Sequence, residues 1–309
     1  MSTNQTKTQE QPQTQELALL GDGAVFVKRT ESGLVKAVKA QIRLEEKKGH
    51  LAEIQGKVMI TAAGYNEMNK VAGVSVITPE KLTLPDGSVV VNPYPIIEPA
   101  SGSISKVWVK KMAIGLSPIG NLVITTSTLL YDIKMYFVQD LVKKIKYSAA
   151  AGRLCMESML TEQDKQKGIF CKIEGDLGVW ADFSNKDVLT CIETFVQNKL
   201  FAERKAQTIA ERNAMKKHPA LATVLVVPTG PEKARTGVVN VVGFSHDFSQ
   251  QELLDISQKA ADGEPIIVNN RKVEVIDLPH SEATEEDLMV DSNEEENPDD
   301  TSSSNGGLL

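Results

Sequence analysis

The chain holds 309 residues, 41% hydrophobic and 24% charged, a balance that supports a real core with loose ends rather than a chain too polar to fold. No run of about twenty apolar residues occurs, which excludes a membrane-spanning helix, and the Gln/Thr-rich start as far as Gln15 lacks the apolar centre of a signal peptide. The formal charge of −7 is unevenly placed: residues 281–309 carry ten acids and no Lys or Arg, which leaves residues 1–280 with 34 basic and 31 acidic side chains, a mildly basic body of +3 with a strongly acidic tail.

After a disordered segment at 1–20, Gly21-Asp22-Gly23 opens strand-like sequence at 24–28 and again at 35–44. In the second run Lys36, Val38, Ala40, Ile42 and Leu44 share one side, and Val35, Ala37, Lys39, Gln41 and Arg43 the other, giving a strand with a wet, basic edge. A charged turn at 45–49 leads to a partner strand at 53–60. Thr61 is placed to cap a helix that runs to Ala72 and is closed by Gly73. Pro79, Pro85, Pro93 and Pro95, with the Asp86-Gly87 turn, mark β-hairpins across 74–97. The most regular strand follows at 104–115, where Lys106, Trp108 and Lys110 share one face, Val107 and Val109 occupy the other, and Lys111 comes next. Two readings fit. A ring flanked by ammonium groups can stack on a base while they hold the backbone, or Trp108 plugs the core between snorkelling lysines. The loop at 115–121 turns the chain into a Thr-rich, β-branched strand at 122–130. Gly115 and Gly120 have phosphate-loop spacing, but Asn121 stands where a Lys must be, so nucleotide hydrolysis is discarded there.

From 131 to 146 the period becomes helical, with Ile133, Tyr136, Phe137, Asp140, Leu141 and Lys144 recurring. A helix is expected near 153–160, short strands or turns at 169–173 and 179–183, and a helix at 187–200 capped by Ser184 or Asn185. In the next helix Ala202, Ala206, Ala210 and Ala214 climb one side at about 100° per residue, while Arg204, Lys205, Thr208, Arg212 and Lys216 gather on the other, until Pro219 stops it. The small face can approach a sheet closely, and the opposite stripe offers donors of the kind that hold phosphates. A solvated surface helix, its charge partly offset by Glu203 and Glu211, is the competing reading. Strands at 223–227 and 238–244, a helix at 250–261 and a hairpin turning at Asn269-Asn270 then read as a small C-terminal α+β subdomain over 221–280. The acidic tail at 281–309 is expected to stay solvated; it can compete with nucleic acid for a basic groove, or present Leu308 and Leu309 as a docking tip.

Reactive constellations are absent from the sequence. His50, His218, His246 and His280 are scattered, there is no HExxH, GxSxG or CxxC, and Cys155, Cys171 and Cys191 read as reduced packing residues. Glu174, Asp176 and Asp182 could gather a divalent cation only if their loops converge. No catalytic residue, cofactor or metal is assigned, and the chain reads as a binding protein, not an enzyme.

The string Ala202-Glu203-Arg204-Lys205-Ala206-Gln207-Thr208-Ile209-Ala210-Glu211-Arg212-Asn213-Ala214-Met215-Lys216-Lys217-His218-Pro219 resembles the basic Lys/Thr/Ala/Arg helix that closes the core of phage single-strand annealing recombinases of the RecT kind. The order of hairpins before helices, and the acidic extension, are similar to that family as well. The resemblance implies a β–β–β–α core within 21–220 and ring or filament homo-oligomers. It also implies single-stranded DNA held in an outward basic groove and paired with a complementary strand without nucleotide hydrolysis. It suggests phage or mobile-element recombination in a bacterial host; a cytoplasmic location is the default for a sequence with no membrane span or signal peptide, and the acidic tail is the expected docking point for a replication or recombination protein. By motif position it carries over Arg204, Lys205, Thr208, Arg212 and Lys216 as backbone contacts. The expectation is therefore an α+β fold, antiparallel hairpins packed with helices, in which Lys106, Trp108, Lys110 and Lys111 converge with the helix stripe into one solvent-open trough. The alternative is a scaffolding protein whose basic helix and acidic tail are contacts between subunits. A third reading, a metal-dependent nuclease, would depend on Asp176.

Overall fold

The computed structural model describes residues 25–30, 33–54, 56–227, 236–244, 249–268, 271–284 and 287. The expected disordered start at 1–20, the pair His246-Asp247, the turn Asn269-Asn270 and the tail past Asp287, with Leu308 and Leu309, lie outside them. The fold is mixed α+β. In chain order it runs β1 (Val25–Thr30), β2 (Gly33–Glu45), β3 (Leu51–Ile54), β4 (Lys57–Ile60), α1 (Ala62–Ala72), β5 (Ser75–Ile77), β6 (Lys81–Thr83), β7 (Val89–Val91), β8 (Tyr94–Ile97), β9 (Ile104–Leu116), β10 (Leu122–Asp132) and α2 (Ile133–Tyr147). It continues with β11 (Gly152–Met156), α3 (Glu162–Lys167), β12 (Gly168–Glu174), β13 (Leu177–Asp182), α4 (Lys186–Leu200), α5 (Ala202–Lys217), β14 (Thr236–Phe244), α6 (Gln250–Ala261), β15 (Ile267–Val268), β16 (Arg271–Lys272), β17 (Glu274–Asp277) and β18 (Ser281–Glu282).

The long antiparallel hairpin of β9 and β10 is the centre of a sheet ordered β17-β10-β9-β5, with β8 also paired to β9 and β18 to β10. Val107 and Val109, with Tyr131 and Leu129 directly across from them, pack against Ala202, Ala206, Ile209 and Ala210 of α5. Strand alternation turns Met112 and Ile114 to the other face, where they meet Ile124 and the apolar side of α6, Ile256 and Ala260. A second sheet, β1-β2-β14, is covered by α1 through Leu44, Met68, Val239 and Val241. The third, β11-β13-β12, packs with α2 and α4 around Phe137, Leu141, Val179 and Val188.

Local chemistry places the helix ends. Thr61 accepts from the Gly64 amide at 3.0 Å and Gly73 closes α1 in the left-handed region. Asp132 caps α2, and Asn185 caps α4 through the Asp187 amide at 2.9 Å. The C-terminus of α5 is tied to the central sheet by His218, fully buried. Its Nδ1 accepts from the Ala220 amide at 3.2 Å, so Nε2 carries the hydrogen and donates to the Val123 carbonyl at 3.2 Å.

Several expectations are corrected by tertiary pairing. The single strand expected at 53–60 is the β3–β4 hairpin, turned at Gly56 with φ 77°. The helix expected near 153–160 is β11, drawn into an antiparallel ladder with β13, followed by one 3-10 turn at Glu157–Met159. The polar run before β12 contains α3, fixed by a Thr161/Asp164 capping box. The buried strand expected at 223–227 makes one bridge, Val226 to Val238, and leaves Val224 exposed. Moreover, 221–280 does not stand apart: β14 pairs with β2, and β17 runs parallel to β10.

This packing makes two positions testable. A Cβ on Gly243 would lie 1.6 Å from the Val71 carbonyl oxygen, where β14 touches α1, so Gly243→Ala should lower unfolding free energy by at least about 2 kcal/mol, read as a lowered urea midpoint. Burial lowers the His218 pKa below its ordinary 6.5, against two carbonyl hydrogen bonds. The unfolded chain therefore takes up this proton first. Stability should be insensitive to this group above pH 6.5 and should fall as pH drops below it. His218→Gln should flatten that acid slope in urea titrations, the remainder coming from His50, whose pKa burial also lowers, and at lower pH from carboxylates such as Glu67 and Asp164, held low by Lys70 and Arg153.

Candidate nucleic-acid interface

The alanine face expected on α5 is seated against the β9–β10 hairpin: Ala206, Ile209 and Ala210 have no exposed surface. That seating determines where the stripe of cations goes. Arg204 and Lys216 are exposed near its two ends. The Arg204 guanidinium lies over the partly exposed Phe201 ring, 4.6 Å from its centroid. Thr208 is half-buried and its hydroxyl donates to the Arg204 carbonyl at 3.1 Å, so this donor is used within its own helix.

Lys205 and Arg212, expected on an open face, are instead buried, Arg212 to 4% exposure. The chain after β16 accounts for Arg212. It runs along the outer side of β10 as β17 and then β18, both parallel to it, and crosses towards α5. The Arg212 guanidinium donates to the Asp287 carboxylate and, at 3.4 Å, to its carbonyl. Burial pushes the neighbouring Tyr65 phenol up to about 12, with the Arg212 charge acting the other way. Asp287 also accepts from the Thr284 amide and hydroxyl, both at 2.8 Å, and donates its own amide to that hydroxyl at 3.2 Å. Tyr136 donates to the Ala283 carbonyl at 3.0 Å. Burial holds the Tyr136 phenol well above its ordinary pKa, and the charges of Glu282, Asp132 and Asp287 add to that.

The hairpin residues divide between two faces of the sheet. Lys111 shares the α5 side with Val107 and Val109. It is buried and donates to Thr78 Oγ1 at 2.7 Å and Gln207 Oε1 at 3.1 Å. Burial lowers its pKa against the pull of Glu211, so it is an internal tie between β9 and α5, not a surface contact. Lys106, Trp108 and Lys110 face the opposite way. Lys106 pairs with Asp132 at 2.7 Å, and Trp108 is half-buried with its ring edge-on to His280, centroids 6.1 Å apart. The single trough expected from Lys106, Trp108, Lys110 and Lys111 with the helix stripe is therefore not formed: Lys111 is buried against α5, and the sheet stands between the stripe and Lys106, Trp108 and Lys110.

Sequence reasoning missed the strap formed by 274–284 and Asp287, which touches both groups: His280 on Trp108, and Asp287 on Arg212. The signal was the Thr284-x-x-Asp287 spacing of a helix N-terminus inside a stretch read as a solvated tail. Elsewhere, Asp176 accepts from Ser158 and Asp182 from Ser184, and among the described residues no three His, Cys, Asp or Glu side chains gather to hold a metal ion. Cys155, Cys171 and Cys191 are free and buried, and burial pushes the Cys191 thiol up to about 11. No helix among the described residues is long and apolar enough to cross a membrane. Comparison of the chain with protein-family models, curated proteins and solved structures finds no match in any of the three.

Asp132 separates structure from surface charge at Lys106. Its Oδ1 accepts from the Lys134 and Met135 amides at 3.1 and 3.2 Å, capping α2, while Oδ2 takes Lys106. Asp132→Ala should cost about 1–2 kcal/mol in thermal unfolding. Asp132→Asn, which keeps the cap, should cost distinctly less, since Lys106 is half exposed and screened by solvent.

Proposed function

We propose that the protein binds single-stranded nucleic acid along the cationic stripe of α5 and promotes annealing of complementary strands without hydrolysing nucleotide. The observation that carries this reading is the state of the stripe. Arg204 and Lys216 are exposed, while Arg212 between them already holds an oxyanion, the Asp287 carboxylate. A guanidinium placed for a carboxylate is equally suited to a phosphate, since both offer paired oxygens to its fork of donors. Arg204 and Lys216 are separated by twelve residues of helix, about 18 Å, a length that spans several phosphates of one strand. The Phe201 ring under Arg204 adds a π-face at one end. The resemblance to phage single-strand annealing recombinases supports the same reading and supplies its biological setting. It also suggests homo-oligomers.

Anisotropy of a fluorescent oligonucleotide, titrated at several salt concentrations, tests it. The double variant Arg204→Ala, Lys216→Ala should weaken binding and reduce the slope of log affinity against log salt by about 1.4, roughly 0.7 for each phosphate left without its cation. Trp108→Ala, on the far face of the sheet, should change affinity by less than about twofold. Unchanged affinity and slope in the double variant would remove α5 from binding. A second reading, a scaffolding protein, draws on the same Arg212–Asp287 contact, which would operate between copies instead of within one chain. Salt-sensitive self-association with no affinity for the oligonucleotide would favour it.

A further inference from the structure

We infer that Arg212 is a phosphate-binding position held closed in cis by the strap, whose Asp287 carboxylate occupies the place a strand's phosphate would take. The inference rests on the nucleic-acid reading of α5 and adds its regulation: the strap and the strand compete for one guanidinium.

The strap is built to leave. Of residues 279–284 only Ala283 is buried; the others are exposed. Parallel strands normally stay in place because both faces are covered with apolar side chains, but β18 is two residues long and exposed, and β17 ends on the exposed Asp277. Beyond β17 the strap is held by the two-residue ladder of β18 on β10, by amide hydrogen bonds from Leu278 to the Thr126 carbonyl and from Ala283 to the Leu130 carbonyl, both 3.2 Å, by Tyr136, by the His280–Trp108 ring contact, by the ion pair, and by one buried apolar side chain, Ala283. Segments with so few buried apolar contacts open locally at little cost. The alanines and Ile209 of α5, by contrast, are sealed on the sheet.

Arg212 decides how it leaves. Its guanidinium is buried, and a buried charge stripped of its partner is the costliest arrangement available to it. Simple opening of the strap is therefore disfavoured, while exchange of one anion for another is not. An incoming phosphate replaces the Asp287 carboxylate on the same donors, and the strap, carrying Glu274, Asp277, Glu282 and Asp287, is repelled by the strand that displaces it. Arg204 and Lys216, already exposed, provide the first contacts.

The full chain, Asp287→Ala, and Asp287→Ala with Arg212→Gln are titrated with a labelled oligothymidylate and with sodium tripolyphosphate, the fold of each being checked by thermal unfolding. Release of the closed state should tighten binding of both probes by about tenfold in Asp287→Ala, and Arg212→Gln should abolish the gain. A gain for tripolyphosphate alone keeps the anion site and overturns the nucleic-acid reading. Oligothymidylate binding that is equal in the full chain and Asp287→Ala keeps that reading and overturns the closed site, whereas binding of neither probe overturns both. Amide exchange in the unaltered chain gives a measurement independent of the variants. Saturating oligothymidylate should speed exchange at Leu278 and Ala283, whereas bound oligonucleotide with those amides unchanged or slowed shows that the strap stays in place and sinks the inference.

Discussion

The seating of α5 on the β9–β10 hairpin governs what the rest of the surface can do. Ala202, Ala206 and Ala210 bring the helix backbone close to the sheet, and Ile209 fills the remaining gap against Val107, Val109, Leu129 and Tyr131. A helix packed this closely has no freedom to turn about its axis. Rotation would lift Ile209 into water and drive Glu203 or Glu211 into the core. His218 ties the C-terminal end to β10 through the Val123 carbonyl, and α4 runs into the N-terminal end at Phe201. The azimuth of every cation on α5 is thus set by apolar packing on its other side.

The same seating separates the two groups of basic residues. Because β9 alternates, the side chains that accompany Val107 and Val109 meet α5, and those that accompany Trp108 do not. Lys111 falls on the first side and becomes internal. Its ammonium is held by neutral oxygens of Thr78 and Gln207, with Glu211 as the charge acting on it. Around the hairpin, carboxylates take up cations one at a time: Asp132 for Lys106, Glu98 for Lys199 and Asp287 for Arg212. The mildly basic body is a patchwork of local pairs, and the pair at Arg212 is the most deeply buried of these three.

Much of the architecture was legible in particular residues. Thr61 and Gly73 bracket α1, Asp86-Gly87 turns β6 into β7, the alternation around Trp108 gives β9, and the alanine spacing gives both α5 and the face it buries. These features are local, requiring a cap, a turn residue or a period, and they survive in any tertiary context. The failures share a cause. Residues 153–156 have no strong period of their own and became β11 because β13 offered a ladder. Residues 223–227 look like a buried strand, but they meet β14 through the single bridge Val226–Val238 and leave Val224 and Val226 exposed. Partners distant in sequence decided both.

Composition and spacing alone determined that the chain folds with a mixed α+β core, that β9 has one basic aromatic face, and that α5 has a small side and a cationic side. They also located the acid-rich stretch from Ser281 onwards. Only the tertiary structure decided which of those cations share a surface, and it put Trp108 and Arg212 on opposite sides of one sheet. It also turned the first residues of the acidic stretch into a strand against β10, with Asp287 on Arg212. A period reports the face on which a side chain lies, but whether that face meets water, a sheet or a carboxylate depends on segments far away in the chain, and pairing between them leaves no periodic trace.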